Sequence, residues 1–314
     1  MKGAMRHFTS LALTLLSSTL CACGGDPPAA VCGDGATQSP EACDEGTANG
    51  SAGHCKADCS GLPAKVSISG DVLTFGQEVP GPRVAGAKLT VLEQPDKTAT
   101  TGADGHFEID DLDEGSEVTL VMDHPDFYPT QSATYTLGPR GIHPFAIQAL
   151  SKALFKALSG LFTNLEQETH CALATTVTRL GGTLHVDVRQ GEPGAQLTIS
   201  PSAADTKGPV YFGENVIPDM KLTATTKDGG ALYYHVAPGE YQLSATKEGF
   251  TVAPVKMKCR AGYLVNAGPP IGVQTSVRSP DWGAGADLAE EFAAAVAELG
   301  VEREHRAHRL ALDH

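Results

Sequence analysis

The chain contains one segment twice, and this internal repeat limits the folds available to it. Residues 100–127 read TTGADGHFEIDDLDEGSEVTLVMDHPDF, and residues 225–250 read TTKDGGALYYHVAPGEYQLSATKEGF. In each copy an Asp-Gly pair stands 11 residues before a further glycine, Gly115 or Gly239. Upstream, residues 86–91 (GAKLTV) match residues 194–199 (GAQLTI). A unit repeated at this length predicts a duplicated domain rather than a solenoid.

Alternation of apolar and polar residues predicts short antiparallel strands in both copies. Val66, Ile68 and Val72 alternate with small or polar residues, and similar runs follow between Gly, Pro and Asp-Gly turns. The Asp-Gly pairs are typical of tight hairpins, because glycine accepts the positive φ that the turn requires. We therefore predict an all-β fold of two tandem antiparallel sandwiches, at residues 65–142 and 171–275.

The two copies resemble the carboxypeptidase regulatory-like domain, a transthyretin-like (prealbumin-like) sandwich of the Ig type that is similar to the Cna B-type repeats of adhesins. In copy one the resemblance rests on GAKLTV, TTGADGHFEIDDLDEGSEVTLV and HPDFYP, and in copy two on GAQLTI and TTKDGGALYYHVAPGEYQLSATKEGF. The resemblance implies that each copy is a seven-stranded sandwich, and that it is an accessory module rather than a catalytic one. Related carbohydrate-binding-like folds make polysaccharide a candidate partner.

The N-terminus has the pattern of a bacterial export signal. Lys2 and Arg6 precede an apolar run at residues 8–20, which is of signal-peptide length and too short to cross a bilayer. The following Leu-Cys-Ala-Cys resembles a lipobox. The resemblance implies a signal peptide at residues 1–22 and lipidation of Cys23.

Two alternatives to this anchor remain open, namely lipidation of Cys21 and ordinary signal cleavage. Residues 23–30 are predicted to form a tether. Gly24 after the lipobox cysteine favours transport to the outer membrane under the lipoprotein sorting rule. The predicted location is therefore the bacterial outer membrane or cell surface, with the membrane contacted through the lipid.

A cysteine-rich insert occupies residues 31–60. Its four cysteines predict two disulfides, and the sequence does not choose among the three pairings: Cys32, Cys43, Cys55 and Cys59. The spacing resembles a cysteine-rich repeat of myxobacterial surface proteins. Alternatives are a zinc site with His54 and a calcium site with Asp34, Asp44 and Glu45.

Apolar residues at helical spacing predict an amphipathic helix between the two sandwiches, at residues 144–166. Cys171 and Cys259 are predicted to form a third disulfide, which fastens the start of the second sandwich to its last strand. Residues 280–314 are predicted to be a C-terminal helix or a disordered tail, with Leu288, Phe292, Ala295 and Leu299 on one side of the helix.

Two sets of residues are candidate binding sites. An acidic set near one end of the first sandwich is a candidate for a hard cation, although solubilising surface charge is the alternative: Glu108, Asp110, Asp111 and Asp113. An aromatic set in the second copy is predicted to be exposed, with Tyr211 and Phe212 in an inserted loop and Tyr234 on a strand. This set is a candidate for stacking on a ligand such as a sugar.

No catalytic signature is found in the sequence, and no cofactor is predicted. The zinc-peptidase, Gly-x-Ser-x-Gly and phosphate-loop patterns are all missing. The formal net charge of −14 argues against nucleic acid as a partner, because phosphates would be repelled.

The sequence therefore predicts a lipid-anchored surface protein acting as a non-catalytic binding or structural module. Its partner is predicted to be an extracellular protein or a polysaccharide. Alternatives are a carbohydrate-binding accessory protein and an accessory domain of an extracellular hydrolase system.

Overall fold

The computed structural model describes residues 29–277, except 52, 77, 163–167 and 203–204. The predicted signal peptide, the lipidation site at Cys23 and the predicted tail at residues 280–314 lie outside the described residues.

The first copy is a sandwich of two sheets. Its seven strands are β1 (Lys65–Thr74), β2 (Lys88–Val91), β3 (Gln94–Thr100), β4 (His106–Asp113), β5 (Glu117–Asp123), β6 (Thr130–Thr136) and β7 (Ile142–Ala149). One sheet has the order β4-β1-β7, and the other has the order β3-β2-β5-β6. Between them lies an apolar core that includes Ile68, Leu89, Leu112, Leu120 and Met122. The predicted alternation is confirmed in β4, where Phe107 and Ile109 are buried between exposed neighbours, whereas residues 118–122 of β5 are all buried.

The segment between the copies is a strand followed by a short helix. Residues 142–149 form β7, so the prediction of helix from residue 144 is wrong for this part. The reason is tertiary, because β7 completes the first sandwich as the parallel neighbour of β1. The helix α1 (Lys152–Ser159) begins after Ser151, whose hydroxyl caps it by accepting from the Leu154 amide.

The second copy contains eleven strands. They are β8 (Cys171–Thr176), β9 (Thr178–Arg179), β10 (Gln196–Ser200), β11 (Lys207–Phe212), β12 (Pro218–Asp219), β13 (Gly230–Val236), β14 (Gly239–Thr246), β15 (Phe250–Val252), β16 (Val255–Cys259), β17 (Leu264–Ala267) and β18 (Gln274–Val277). Strands β10-β14-β16 form one layer and β17-β8-β13-β11-β12 the other, while β15-β18-β9 make a separate small sheet.

Strand pairing repeats between the copies as the sequence repeat predicts. The antiparallel pairs β1–β4, β2–β5 and β5–β6 correspond to β8–β13, β10–β14 and β14–β16. The parallel pair β1–β7 corresponds to β8–β17. The duplication therefore extends from the sequence to the hydrogen-bonded topology.

The two sandwiches are joined through β6, which belongs to a single 12-stranded sheet crossing both copies. On one side β6 pairs with β5 of its own sandwich. On its other side it pairs in parallel with β17, from Leu264 opposite Thr130 to Asn266 opposite Ser132, and Thr134 pairs with Lys256 of β16. Strand β6 thus bridges the two layers of the second sandwich, and its own free edge is covered.

Polar residues of β6 are buried by this arrangement. Thr130, Gln131, Ser132 and Thr134 are all at most 6% exposed, although their sequence reads as a solvent-facing strand. The Gln131 side-chain amide donates to the Lys258 carbonyl oxygen of the second copy at 2.6 Å. Buried polar groups need such partners, so the junction is a hydrogen-bonded contact rather than an apolar one.

Two lysines of the second copy add ion pairs across the junction. Lys258 Nζ lies 2.6 Å from Glu93 Oε1, and Lys256 Nζ lies 2.9 Å from Glu117 Oε1. Both acids belong to the first copy. Such partly exposed pairs contribute little energy each, but they fix the register between the sandwiches.

Three disulfides are present in the described residues. In the insert the pairing is Cys32–Cys59 and Cys43–Cys55, one loop nested inside the other, around a short 3-10 turn (Gly46–Ala48). The third, Cys171–Cys259, links β8 to β16 and therefore joins the two layers of the second sandwich. The predicted Cys171–Cys259 disulfide is therefore confirmed. Strand β16 is not the last strand of the second copy, because β17 and β18 follow it.

We expect Gln131→Ala to reduce the free energy of unfolding by about 1–3 kcal/mol, because it removes a buried side chain and its hydrogen bond to the Lys258 carbonyl oxygen. Equilibrium urea unfolding measures the change. Thr136→Ala, at an exposed position of the same strand, is the matched control and should change stability by less than about 0.5 kcal/mol. Equal effects of the two substitutions would contradict the junction described here.

Replacing Cys171 and Cys259 together by serine should cost about 4 kcal/mol, because the disulfide closes a loop of 88 residues. Urea unfolding followed by circular dichroism measures this loss. Removing Cys32–Cys59 in the same way should leave the main transition within about 1 kcal/mol, since that disulfide closes a loop of 27 residues outside the sandwiches.

Candidate functional site

Two adjoining cavities lie at the junction of the sandwiches. A mixed polar cavity has a volume of about 70 Å³, and an apolar cavity beside it has a volume of about 80 Å³. Both are lined by Phe75, Gln148, Ala174, Phe212 and Asn266. The first two of these residues come from copy one and the other three from copy two, so the cavities exist only because the copies are fused.

The polar cavity is built around Asp228, the aspartate of the second Asp-Gly turn. Asp228 is 7% exposed, and its carboxylate accepts from Arg189 Nη1 at 2.7 Å and from the Gly230 amide at 3.2 Å. Arg189 also reaches the Gly76 carbonyl oxygen of copy one at 3.4 Å. Burial raises the pKa of Asp228, while the guanidinium of Arg189 and the Gly230 amide act in the opposite direction.

Thr178 adds a hydroxyl to the lining of this cavity. Its Oγ1 is buried and has no hydrogen-bond partner among the described residues. A volume of about 70 Å³ accommodates a few water molecules or a very small polar molecule, and it is well below the roughly 300 Å³ typical of substrate sites. The cavity can therefore bind and orient water or a very small polar molecule. It has no room for a substrate beside a nucleophile and a base.

The apolar cavity lies between α1 and the outer face of the β8-β13-β11 layer. Phe162 packs against Tyr234 with ring centroids 4.9 Å apart, and Phe75 meets Phe212 edge-on at 6.3 Å. Phe155 of α1 also lines the cavity. No residue of α1 is fully buried, so the helix is a partial cover over an apolar floor.

The prediction that the aromatic set is exposed is wrong. Tyr211, Phe212 and Tyr234 are 3%, 8% and 8% exposed. Strand β11 is paired on both sides, by β12 and β13, so the segment interpreted as a loop is part of the sheet. Tyr211 faces the inner core, where its hydroxyl accepts from the Leu197 amide, and the other two face the outer cluster beneath α1. None of the three is placed to stack on a sugar.

The acidic set is partly neutralised by lysines. Lys65 Nζ lies 2.9 Å from Asp113 Oδ1 and 3.8 Å from Asp111 Oδ1, and Lys97 Nζ lies 2.8 Å from Asp111 Oδ2. The hydrogen bond from Lys97, followed by the charge of Lys65, lowers the pKa of Asp111. Glu108 and Asp110 are exposed on β4. As a metal site this set stays a prediction, and its two best-placed members already have cationic partners.

A cluster around Asp71 was not found by sequence reasoning. Asp71 is 5% exposed, and Arg83 donates to its Oδ1. His106 Nδ1 lies 3.1 Å from Oδ1, and His185 Nε2, from copy two, lies 3.0 Å from Oδ2. The only sequence signal was a lone acid inside an apolar strand. A buried carboxylate must be paired, and here one of the partners of Asp71 is His185 of the other copy. The cluster is therefore a contact between the copies.

Asp44 organises the disulfide insert. Its Oδ2 accepts from the backbone amides of residues 33, 34 and 35, and its Oδ1 accepts from the Gly46 amide and from Asn49 Nδ2. Burial raises the pKa of Asp44, but the bonds from Gly46, Asn49, Gly33 and Gly35 outweigh it and hold the value at about 2. Asp44 lies close to Glu41 and Cys59, two further residues that could hold a metal ion. The oxygens of Asp44 already accept from N–H donors and Cys59 is in a disulfide, so these three residues do not form a cation site.

We expect Asp44→Ala to expose the insert disulfides, because five N–H donors lose their acceptor. The rate of reduction by dithiothreitol, followed by mass spectrometry, should rise at least about tenfold for Cys32–Cys59 and Cys43–Cys55. Asp58→Ala, which removes only a local bond to Ser60, is the control and should leave the rate unchanged.

The same substitution gives a pH signature. The pKa of Asp44 is lowered from 3.8, so its stabilisation is present above about pH 4 and disappears as the pH falls through about 2. Wild type and Asp44→Ala should therefore differ in reduction rate at pH 5 and converge near pH 2, measured with a phosphine reductant that works in acid. A difference that persists at pH 2 would contradict this assignment.

Comparison with known proteins gives distant structural likenesses. No protein family and no curated protein matches the chain. Solved structures that match include the Bacillus anthracis TIE protein, with 13% identity, a TM-score of 0.24, and coverage of 68% of this chain and 34% of that one. Among the described residues, no helix is long and apolar enough to cross a membrane.

Two pilins also match. A streptococcal ancillary pilin has 10% identity and a TM-score of 0.21 over 67% of this chain and 69% of that one. The minor pilin of Streptococcus agalactiae has 11% identity and a TM-score of 0.20 over 70% of this chain and 99% of that one. This chain spans about a third of the length of the Bacillus anthracis protein. At these TM-scores the likenesses carry no argument about function.

Proposed function

We propose that this protein is an exported, lipid-anchored, non-catalytic module that holds a rigid double sandwich at the bacterial cell surface. The observation that carries the proposal is the distribution of the eight cysteines. Six form three disulfides in the described residues. The remaining two, Cys21 and Cys23, stand in the lipobox-like sequence.

Disulfides support export, because they form and persist in oxidising compartments and are rare in the cytosol. The insert depends on them most strongly. None of its residues belongs to the three apolar clusters of the sandwiches, so cross-links replace a core there. Such a segment would be poorly stable in a reducing cytosol.

Rigidity supports a structural or presenting role. A pair of domains joined by a flexible linker moves independently, whereas here β6 belongs to both sandwiches and Lys256 and Lys258 pair with acids of the other copy. The distance between the far ends of the two sandwiches is therefore fixed. We propose that an extracellular protein or a polysaccharide is the partner held at that distance.

A non-catalytic role fits the size of the cavities. Both are far smaller than ordinary substrate pockets, and the polar one holds an ion pair rather than a nucleophile with its base. The carbohydrate-binding alternative loses its predicted stacking residues, because Tyr211, Phe212 and Tyr234 are buried.

The anchor is tested by metabolic labelling of the producing bacterium with an alkyne fatty acid. We expect wild type and Cys21→Ala to be labelled and found in the outer-membrane fraction, and Cys23→Ala to be unlabelled and released. Labelling that survives Cys23→Ala and is lost in Cys21→Ala would assign the lipid to Cys21 instead. Absence of labelling in wild type and in both variants would refute the lipid anchor.

The surface role is tested separately with intact cells. Protease added outside should degrade the wild-type chain without lysis, and cross-linking on intact cells should recover the same envelope or extracellular partner in repeated experiments. Gln131→Ala, which loosens the junction, should weaken that recovery more than Thr136→Ala. Full protection from external protease would contradict surface exposure.

A further inference from the structure

The apolar cavity of about 80 Å³ beneath α1 is not used by the function proposed above. Its lining comes from three parts of the chain. Helix α1 and Phe162 line one side, and the outer face of β8, β11, β13 and β17 lines another. Copy one contributes Phe75, Gln148 and Leu150. Helix α1 therefore already covers this part of the sheet, and the cavity is the space that remains beneath the helix.

The lining of the cavity is almost entirely carbon. Five of its residues are aromatic: Phe75, Phe155, Phe162, Phe212 and Tyr234. Among its polar residues, Asn266 Nδ2 donates to Gln148 Oε1 at 3.3 Å, and the Ser159 hydroxyl donates to the Lys156 carbonyl oxygen at 2.8 Å. Water is held poorly by such a surface, because it needs two or more polar partners, whereas an apolar molecule is accepted.

The volume of the cavity selects the shape of the ligand. A cavity of about 150 Å³ lined by Leu, Ile and Phe admits benzene, and the volume beneath α1 is about half of that. An aromatic ring is therefore too large, whereas the end of a single alkyl chain fits. Side chains around an unfilled apolar volume have no partner atoms on that side, so methylene groups that enter gain dispersion contacts and leave water.

We propose that this cavity binds the end of the alkyl chain of a free fatty acid or a similar alkyl carboxylate. The charge of α1 favours an anionic head group, because the helix contains two lysines and no acid. Lys152 donates to the Pro125 carbonyl oxygen at 2.6 Å. Lys156 is exposed and stands three residues before Ser159, which lines the cavity, so these two residues lie on the same side of the helix.

The carboxylate is therefore placed at the surface beside Lys156, with the chain end among the aromatic side chains. This inference goes beyond the proposed function, since it depends neither on a lipid anchor nor on the location of the protein.

A chain-length series of linear monocarboxylates tests the proposal by NMR titration below their micelle concentrations. The protein is the full-length chain carrying Cys21→Ala and Cys23→Ala, which has no cysteine that could take a lipid. The Kd should fall about fourfold for each added methylene and then level off once the cavity is full. The methyl signals of Ala172, Ala174 and Leu232 should shift, whereas those of Leu89 and Leu120 in the first core should not.

Matched variants change the volume of the cavity. Leu158→Ala removes most of a lining side chain, so the Kd should level off at a chain about two carbons longer. Leu161→Ala, at a half-exposed position that does not line the cavity, should leave the levelling point unchanged. Ala174→Leu fills the cavity and should weaken binding at least about tenfold. Far-ultraviolet circular dichroism and the count of disulfides verify that each variant is folded.

A change of the head group tests the role of Lys156. Lys156→Gln should weaken binding of the carboxylate about two- to fivefold at low salt, because an exposed ion pair is lost. Binding of the alcohol with the same alkyl chain should not change. Equal losses for the acid and the alcohol would contradict the placement of the head group.

Other outcomes would overturn the proposal. A Kd that keeps falling with chain length would indicate nonspecific adsorption, and so would an unchanged levelling point in Leu158→Ala. Methyl shifts confined to the first sandwich would place the ligand elsewhere. Binding to phosphatidylglycerol vesicles without saturable binding of the monomeric acids would assign this surface to a lipid bilayer instead.

Discussion

The structure depends on the shared strand β6. A sandwich leaves strand edges whose N–H and C=O groups must be hydrogen-bonded, either to solvent or to another strand. Here the edge of the first sandwich pairs with β16 and β17 of the second, so the open side between the two layers of the second sandwich is closed. This pairing buries Gln131 completely, and residues of both copies line the two cavities at the junction. The duplicated unit has therefore become one body.

Different parts of the molecule are stabilised in different ways. The first sandwich has a continuous apolar core and no disulfide among its described residues. The second also has a core, but Cys171–Cys259 ties its layers together where β6 enters from outside. The insert is held by two nested disulfides and by Asp44, whose carboxylate gathers five N–H donors. A buried carboxylate with this many donors stays ionised at neutral pH.

The surface that remains open is uneven. The predicted aromatic site lies inside the protein, and the acids of β4 are partly paired with lysines. The apolar cavity beneath α1 is lined by residues from both sides of the junction. Fusion of the sandwiches is thus responsible both for the stiffness proposed for the module and for the cavities at its junction.

The repeat, the period-two alternation and the Asp-Gly turns determined the fold class, because strand faces and tight turns are local properties of the chain. The cysteine count predicted the Cys171–Cys259 disulfide, because these two cysteines remain when those of the lipobox and of the insert are set aside. Only tertiary structure decided the strand at residues 142–149, the burial of Tyr211 and Phe212, and the pairing of β6. These depend on which edges and faces meet, and contacts between segments that are distant in the sequence leave no periodic signal in either segment.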